Sequence, residues 1–177
     1  MIDAINGIIT WMNPSSPHEG LAIGSDRIVE HVGQLIGLKV TGMRGMRWKR
    51  PEDPKNIGLE ANASYYIGDK AEQWYNTAIK QDEELLNEFE GNTPPDLVVE
   101  VEVTHLDGRK PNRYAELGAR EMWQANFHQE KDQNQVLVTI LDLQARGGPR
   151  EVVQSRVLPN LTATSLAEAY WLSLIHI

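Results

Sequence analysis

"PPDLVVEVEVTHLDGRK", residues 94–110, is the stretch on which the fold turns. It alternates as a strand does, with Leu97, Val99, Val101 and Val103 on one face and Val98, Glu100 and Glu102 on the other. A half-buried strand with one solvated side would show the same alternation. An outward face usually carries threonine, lysine or arginine, however, and this one carries a valine and two acids. Same-face neighbours stand about 6.6 Å apart at the strand rise, so the two glutamates repel unless something positive lies between them. A divalent cation is one such thing. Lys110 then opens a short helix beside Arg109, at the end where the helix dipole disfavours cations. It shares a stripe with Tyr114 and Leu117 that should face the sheet. Two readings fit: a snorkelling lysine, or a lysine aimed at paired carboxylates to stabilise charge developing on a phosphate.

The surrounding chain supplies the rest of a mixed sheet and its helices. Upstream, "NGIITWMNP" reads as a short strand leaving an Asn-Gly turn. In "SSPHEGLAIGSDRIVEHVGQLIG", Ser16 and Glu19 form a capping box and Pro17 falls at the first helical position. Leu21, Ile28, Val32 and Leu35 mark one helical face, and Gly37 stops the helix. His18, in the first turn, reads as a helix-start residue, because no second histidine stands at metal spacing. Strands are predicted over 38–48 and 59–68, separated by the turn signal "RPEDPKNIG". A loosely periodic helical segment follows over 70–91, with Trp74, Ala78, Leu85 and Phe89 on its apolar side. After the opening stretch, a helix ends at Gly118, and "REMWQANF" and "QVLVTILDLQ" read as two strands joined by the turn "HQEKDQN". This order predicts an α/β domain with a mixed central β-sheet flanked by helices.

Length and composition bound the function. The chain has 177 residues, 41% hydrophobic and 24% charged, as an ordinary single globular domain does. It contains no cysteine, so thiolate metal sites and disulfides are excluded. No signal peptide or membrane span is recognisable, which predicts a cytoplasmic protein. A net charge of −8 argues against a generic nucleic-acid coat but leaves room for an enzyme that meets DNA at a cation-neutralised site. The basic run is "RGMRWKR", residues 44–50, either a solvated strand and turn or a phosphate-contacting edge. The chain closes on "LSLIHI", immediately after the helical "SLAEAYW". A transposase adaptor common in sequencing libraries encodes the same residues in one frame. Residues 172–177 are therefore expected to be an adaptor-derived tail, with 1–171 as the native domain and its last helix truncated.

The motifs taken together resemble a known family. "PPDLVVEVEVTHLDGRKPNRYAELGAREMW" is similar to the signature of the bacterial Uma-type restriction endonuclease family, within the PD-(D/E)XK nuclease superfamily. The match falls at Pro95, Asp96, Glu100, Lys110, Tyr114, Gly118 and Trp123. "NPSSPHE" and "GLEANASYYIG" resemble the family's Pro-rich approach to its first helix and its Glu-Pro-Asp strand, so the likeness spans residues 5 to about 145. The resemblance implies a restriction-endonuclease-like core and Mg²⁺- or Mn²⁺-dependent hydrolysis of DNA phosphodiesters, with a possible homodimer. Carried over, it makes Glu100 a metal ligand, with the Val101 carbonyl beside it. Glu102 takes the place of the superfamily's usual lysine, and Lys110 supplies that lysine from the helix. The family's Pro-Asp is Ala61-Asn62 here, so an amide stands where a carboxylate should hold the metal. Glu60 is the substitute that the spacing allows. Asp96, four residues before Glu100 and roughly 13 Å away at the strand rise, is too far. The alternative implied by that departure is a catalytically impaired relative, acting as a DNA- or partner-binding module.

Overall fold

The structure is a computed structural model and describes residues 2–3, 8–9, 17–43, 46–48, 59–102, 107–129 and 134–175. Two short strands, β1 (Ile2–Asp3) and β2 (Ile8–Ile9), pair antiparallel. Helix α1 (Pro17–Leu35) begins on the proline that sequence places at its first position, and Gly37 beyond it has φ of 71°. That left-handed conformation costs a glycine little, so the chain can turn into β3 (Val40–Gly42). Ser16, the expected cap, lies outside the described residues.

The predicted strand over 38–48 is two strands in different sheets: β3, and β4 (Arg47–Trp48), which pairs with β5 (Leu59–Glu60). The strand over 59–68 is likewise interrupted. It bends at Asn62 and resumes as β6 (Ala63–Ile67). The segment 70–91 is two helices, α2 (Asp69–Ala78) and α3 (Glu83–Asn92). Gln81 adopts φ of 54° between them, and the Asp82 side chain accepts from Leu85 N at 3.1 Å, so a fresh N-cap competes with continuation of the first helix.

Six strands form the central sheet, in the order β10 (Arg150–Val152), β9 (Asn134–Asp142), β8 (Glu121–Gln129), β7 (Leu97–Glu102), β6, β3. Every pairing is antiparallel except β7 with β8. Parallel neighbours require a crossover, and it contains α4 (Lys110–Glu116). The sheet is therefore mixed and flanked by helices, as predicted.

Its two faces differ. On one, α1 and α5 (Ala163–Ile175) cover a single apolar core that includes Leu97, Val99, Val101, Trp123, Ile140, Leu166 and Tyr170. On the other, smaller clusters gather Val98, Met122 and Tyr114, and separately Trp48 and Tyr66. Strand β7 is buried along its whole length, so the half-buried alternative with one solvated side does not apply. It lies between β6 and β8 with helices above and below, the surroundings of a parallel strand. Leu35, expected on the apolar face of α1, is 71% exposed because the helix ends there, past the edge of the core.

Candidate functional site

Alternation along β7 places Val98, Glu100 and Glu102 on the face that α4 covers. Lys110 and Tyr114, one helical turn apart on α4, both reach Glu100. Lys110 Nζ donates to Glu100 Oε2 at 2.7 Å, and Tyr114 Oη donates to Oε1 at 2.5 Å. Both oxygens of this buried carboxylate are thus held by one helix. Burial, the Glu100 charge and the hydrogen bond to it push the Tyr114 hydroxyl far above the ordinary tyrosine range, so it remains a donor.

Glu102 is bound differently. It is 8% exposed, and among the described residues neither carboxylate oxygen has a hydrogen-bond partner. Among the described residues it pairs with Lys110, whose Nζ lies 3.7 Å from Oε1. The positive group required between the two glutamates is therefore Lys110, which bonds one and only approaches the other. Lys110 is itself partly open to solvent, so its ammonium can face a ligand as well as the sheet. The parallel register sets Gln124 beside Glu100 and Asn126 beside Glu102. Neither is fully buried, and together they extend the acidic pair into a polar strip.

Of the remaining sequence candidates, Asn62 joins the strand but not as an open ligand. Its Oδ1 accepts from Val101 N at 2.7 Å, and Nδ2 lies 2.9 Å from His18 Nε2. Glu60 is exposed on β5, in register with Arg47, and does not share a sheet face with Glu100. Its neighbours Leu59 and Ala61 pack with Val98 and Tyr114, which brings β5 to the rim of the site. Asp96 belongs elsewhere, as the strand rise requires. It is buried at the start of β7, accepts from Ile67 N and pairs with Arg120 and Lys70.

Sequence reasoning missed two partners: the grip of Tyr114 on Glu100, and the contact of His18 with Asn62. The first had a signal, since Tyr114 stands four residues after Lys110. The second had none, because α1 and the bend at Asn62 are brought together only by the sheet.

Among the described residues, no group of three His, Cys, Asp or Glu side chains could hold a metal. One carboxylate can suffice for Mg²⁺, which keeps several waters and takes one or two carboxylates plus substrate phosphate oxygens. The unbonded oxygens of Glu102 fit that requirement, while those of Glu100 are already engaged. No family model, curated protein or solved structure matches the chain.

Proposed function

We propose that the chain is a divalent-cation-dependent DNA endonuclease with a restriction-endonuclease-like core, acting in the cytoplasm. The observation that carries this reading is Glu102: a buried carboxylate with two unbonded oxygens, next to a lysine that a neighbouring acid already anchors. Evolved sites retain such an arrangement for what it binds, because an unsatisfied buried charge works against folding.

Glu102 would hold Mg²⁺ or Mn²⁺, with Glu100 alongside. When bound, the cation supplies charge neutralisation at the phosphate and a more acidic water. Lys110, oriented by Glu100, presents its ammonium to a non-bridging phosphate oxygen and stabilises the charge that grows there in the transition state. The hydrogen bond from Tyr114 holds Glu100 in place, so the lysine is pre-positioned. Water adds to phosphorus, the P–O bond to the leaving strand end breaks, and that oxygen takes up a proton. Gln124 and Asn126 offer neutral donors for a sugar–phosphate backbone beyond the acids. A homodimer would let two such sites meet both strands.

Nicking of supercoiled plasmid tests the reading, with Mg²⁺ and with Mn²⁺. The wild type should convert plasmid to open circles, Glu102→Gln should lose both cation binding and cutting, and Lys110→Ala should lose cutting by about 10²-fold or more while still binding cation. Wild-type cutting that persists in Lys110→Ala overturns the assignment.

The second reading, a catalytically impaired DNA- or partner-binding module, is favoured by Asn62. The residue in the place of the family's acid spends its oxygen on a backbone N–H. Cation binding by the wild type, with no cutting by it or by any variant, decides for it.

A further inference from the structure

Asn62 lies at the bend between β5 and β6, opposite the centre of the carboxylate strand. A backbone N–H can only donate, so the atom 2.7 Å from Val101 N must be the amide oxygen. The amide nitrogen is thereby turned to His18 Nε2 at 2.9 Å. That nitrogen is a donor, which leaves Nε2 as the acceptor and puts the imidazole proton on Nδ1. A directed chain of hydrogen bonds results, from Val101 N–H to Asn62 and from Asn62 to His18. It begins on Val101, the one residue that separates Glu100 from Glu102.

We infer that Asn62, backed by His18, is a positioning residue that fixes β7 between its two carboxylates. Regular pairing between β6 and β7 reaches only to Ala63 opposite Val99. Beyond it, the Asn62 side chain replaces the missing strand carbonyl and continues the ladder by one bond. Aspartate at 62 could still accept from Val101. Its second oxygen could not donate, so His18 would have to carry its proton on Nε2. The amide and its mate are therefore matched in direction, and the asparagine is a fitted part of the site. The inference rests on the cation site proposed above where it concerns ligand affinity, and stands apart from it where it concerns hydrogen bonds.

The experiment uses the full ¹⁵N-labelled chain at a pH about 1.5 units above the ordinary histidine value. Long-range ¹⁵N–¹H spectra should show Nε2 of His18 unprotonated in the wild type and protonated in Asn62→Asp. Amide exchange at Val101 should quicken about 10-fold or more in Asn62→Ala. Mn²⁺ affinity, measured by calorimetry, should fall about 10-fold in Asn62→Ala and in His18→Leu, as loss of a ligand's support commonly does. His18→Gln, whose side-chain carbonyl can accept from Asn62, should restore it to within about twofold of the wild type. A proton on Nε2 in the wild type, unchanged Val101 exchange in Asn62→Ala, or equal Mn²⁺ affinities for His18→Leu and His18→Gln each overturn the inference. Should Asn62→Ala fail to fold, the two His18 variants and the tautomer decide. A wild type that binds no Mn²⁺ sinks the cation site instead, and the tautomer and exchange then decide the positioning role on their own.

Discussion

Glu100 and Glu102 are the same residue type, two positions apart on one buried strand, and their energetics should differ in sign. Glu100 has both oxygens bonded, so removing it leaves Lys110 with only its longer contact to Glu102 and the Tyr114 hydroxyl without this acceptor. Glu100→Met should therefore cost about 3–5 kcal/mol, the usual penalty for breaking a buried pair from one side. Among the described residues, Glu102 contributes a desolvated charge with no hydrogen bond and an ammonium at 3.7 Å. Glu102→Met should stabilise the fold by about 1 kcal/mol, within the cost of a buried group left unsatisfied, while cation binding is lost. Urea midpoints of the two variants measure this, and a loss of similar size in both would refute the division of labour. Tyr114→Phe should cost about 1.5–3 kcal/mol, the worth of a hydrogen bond to a charged acceptor. A pH effect accompanies it. The folded-state value of Tyr114 is raised, as are those of Tyr66 and Tyr170, each chiefly by burial. Their contribution is complete below about pH 10, where the unfolded tyrosines are neutral, and shrinks above it as the unfolded chain ionises first. Stability measured from pH 8 to 11 should be flat and then fall, and Tyr114→Phe should fall less steeply. An equal slope in both would sever Tyr114 from that loss.

Helix α4 works as a clamp because of where it stops. Gly118 follows it with φ of 92°, and a Cβ there would lie 3.0 Å from Pro94 Cγ and 3.3 Å from Pro94 Cβ. The turn therefore needs a residue that is both left-handed and without a side chain. Gly118→Ala should cost about 1–3 kcal/mol in strain and loosen the hold of α4 on Glu100. Thermal unfolding of this variant tests it, and a melting temperature within one degree of the wild type would mean that the turn can relax. This stop was legible, as were α1 from its proline and glycine, and β8 and β9 from their alternation. Other features were not. The division of 70–91 into α2 and α3 depends on the Asp82 cap outcompeting one more helical turn, a balance of about 1 kcal/mol that periodicity cannot weigh. The bend at Asn62 reverses which face its neighbours occupy. Ala61 packs with Val98 and Tyr114, whereas Ala63, two positions on, packs in the opposite core. Strict alternation therefore misplaced Glu60, which was expected beside Asn62 and Glu100. Burial of β7 on both sides followed from its neighbours in the sheet, and pairing order is not written in any single strand.

At the scale of the molecule, one face of the sheet carries the large apolar core and the other carries the acids, so the cluster that folding tolerates sits apart from the core that drives it. Tyr170 shows what the first face supplies: it is fully buried on α5 and shares a hydrogen bond of 2.8 Å with Ser25 on α1. The second face sets the terms on which DNA could approach. The chain carries a net charge of −8, and Glu100 and Glu102 add a local negative field that a single lysine only half neutralises. A polyanion should be repelled until a divalent cation is bound. On the proposed reading the basic run of the sequence at 44–50 would be the counterweight; of it, Arg47 in β4 stands in register with Glu60. Arg44, Arg47, Lys49 and Arg50 supply four positive charges. If all of them met phosphates, log affinity would fall with log salt at a slope no steeper than about −4. Retention of a short duplex in a gel should therefore be undetectable in chelator and should appear with Ca²⁺, a cation that satisfies the carboxylates with little turnover. Added NaCl should then weaken it along that shallow slope. Arg47→Glu should reduce retention at every duplex sequence alike, because a phosphate contact reads no bases. Tight retention in chelator would mean that the acids do not face the DNA, and the carboxylate strand would then have to serve something other than a phosphodiester.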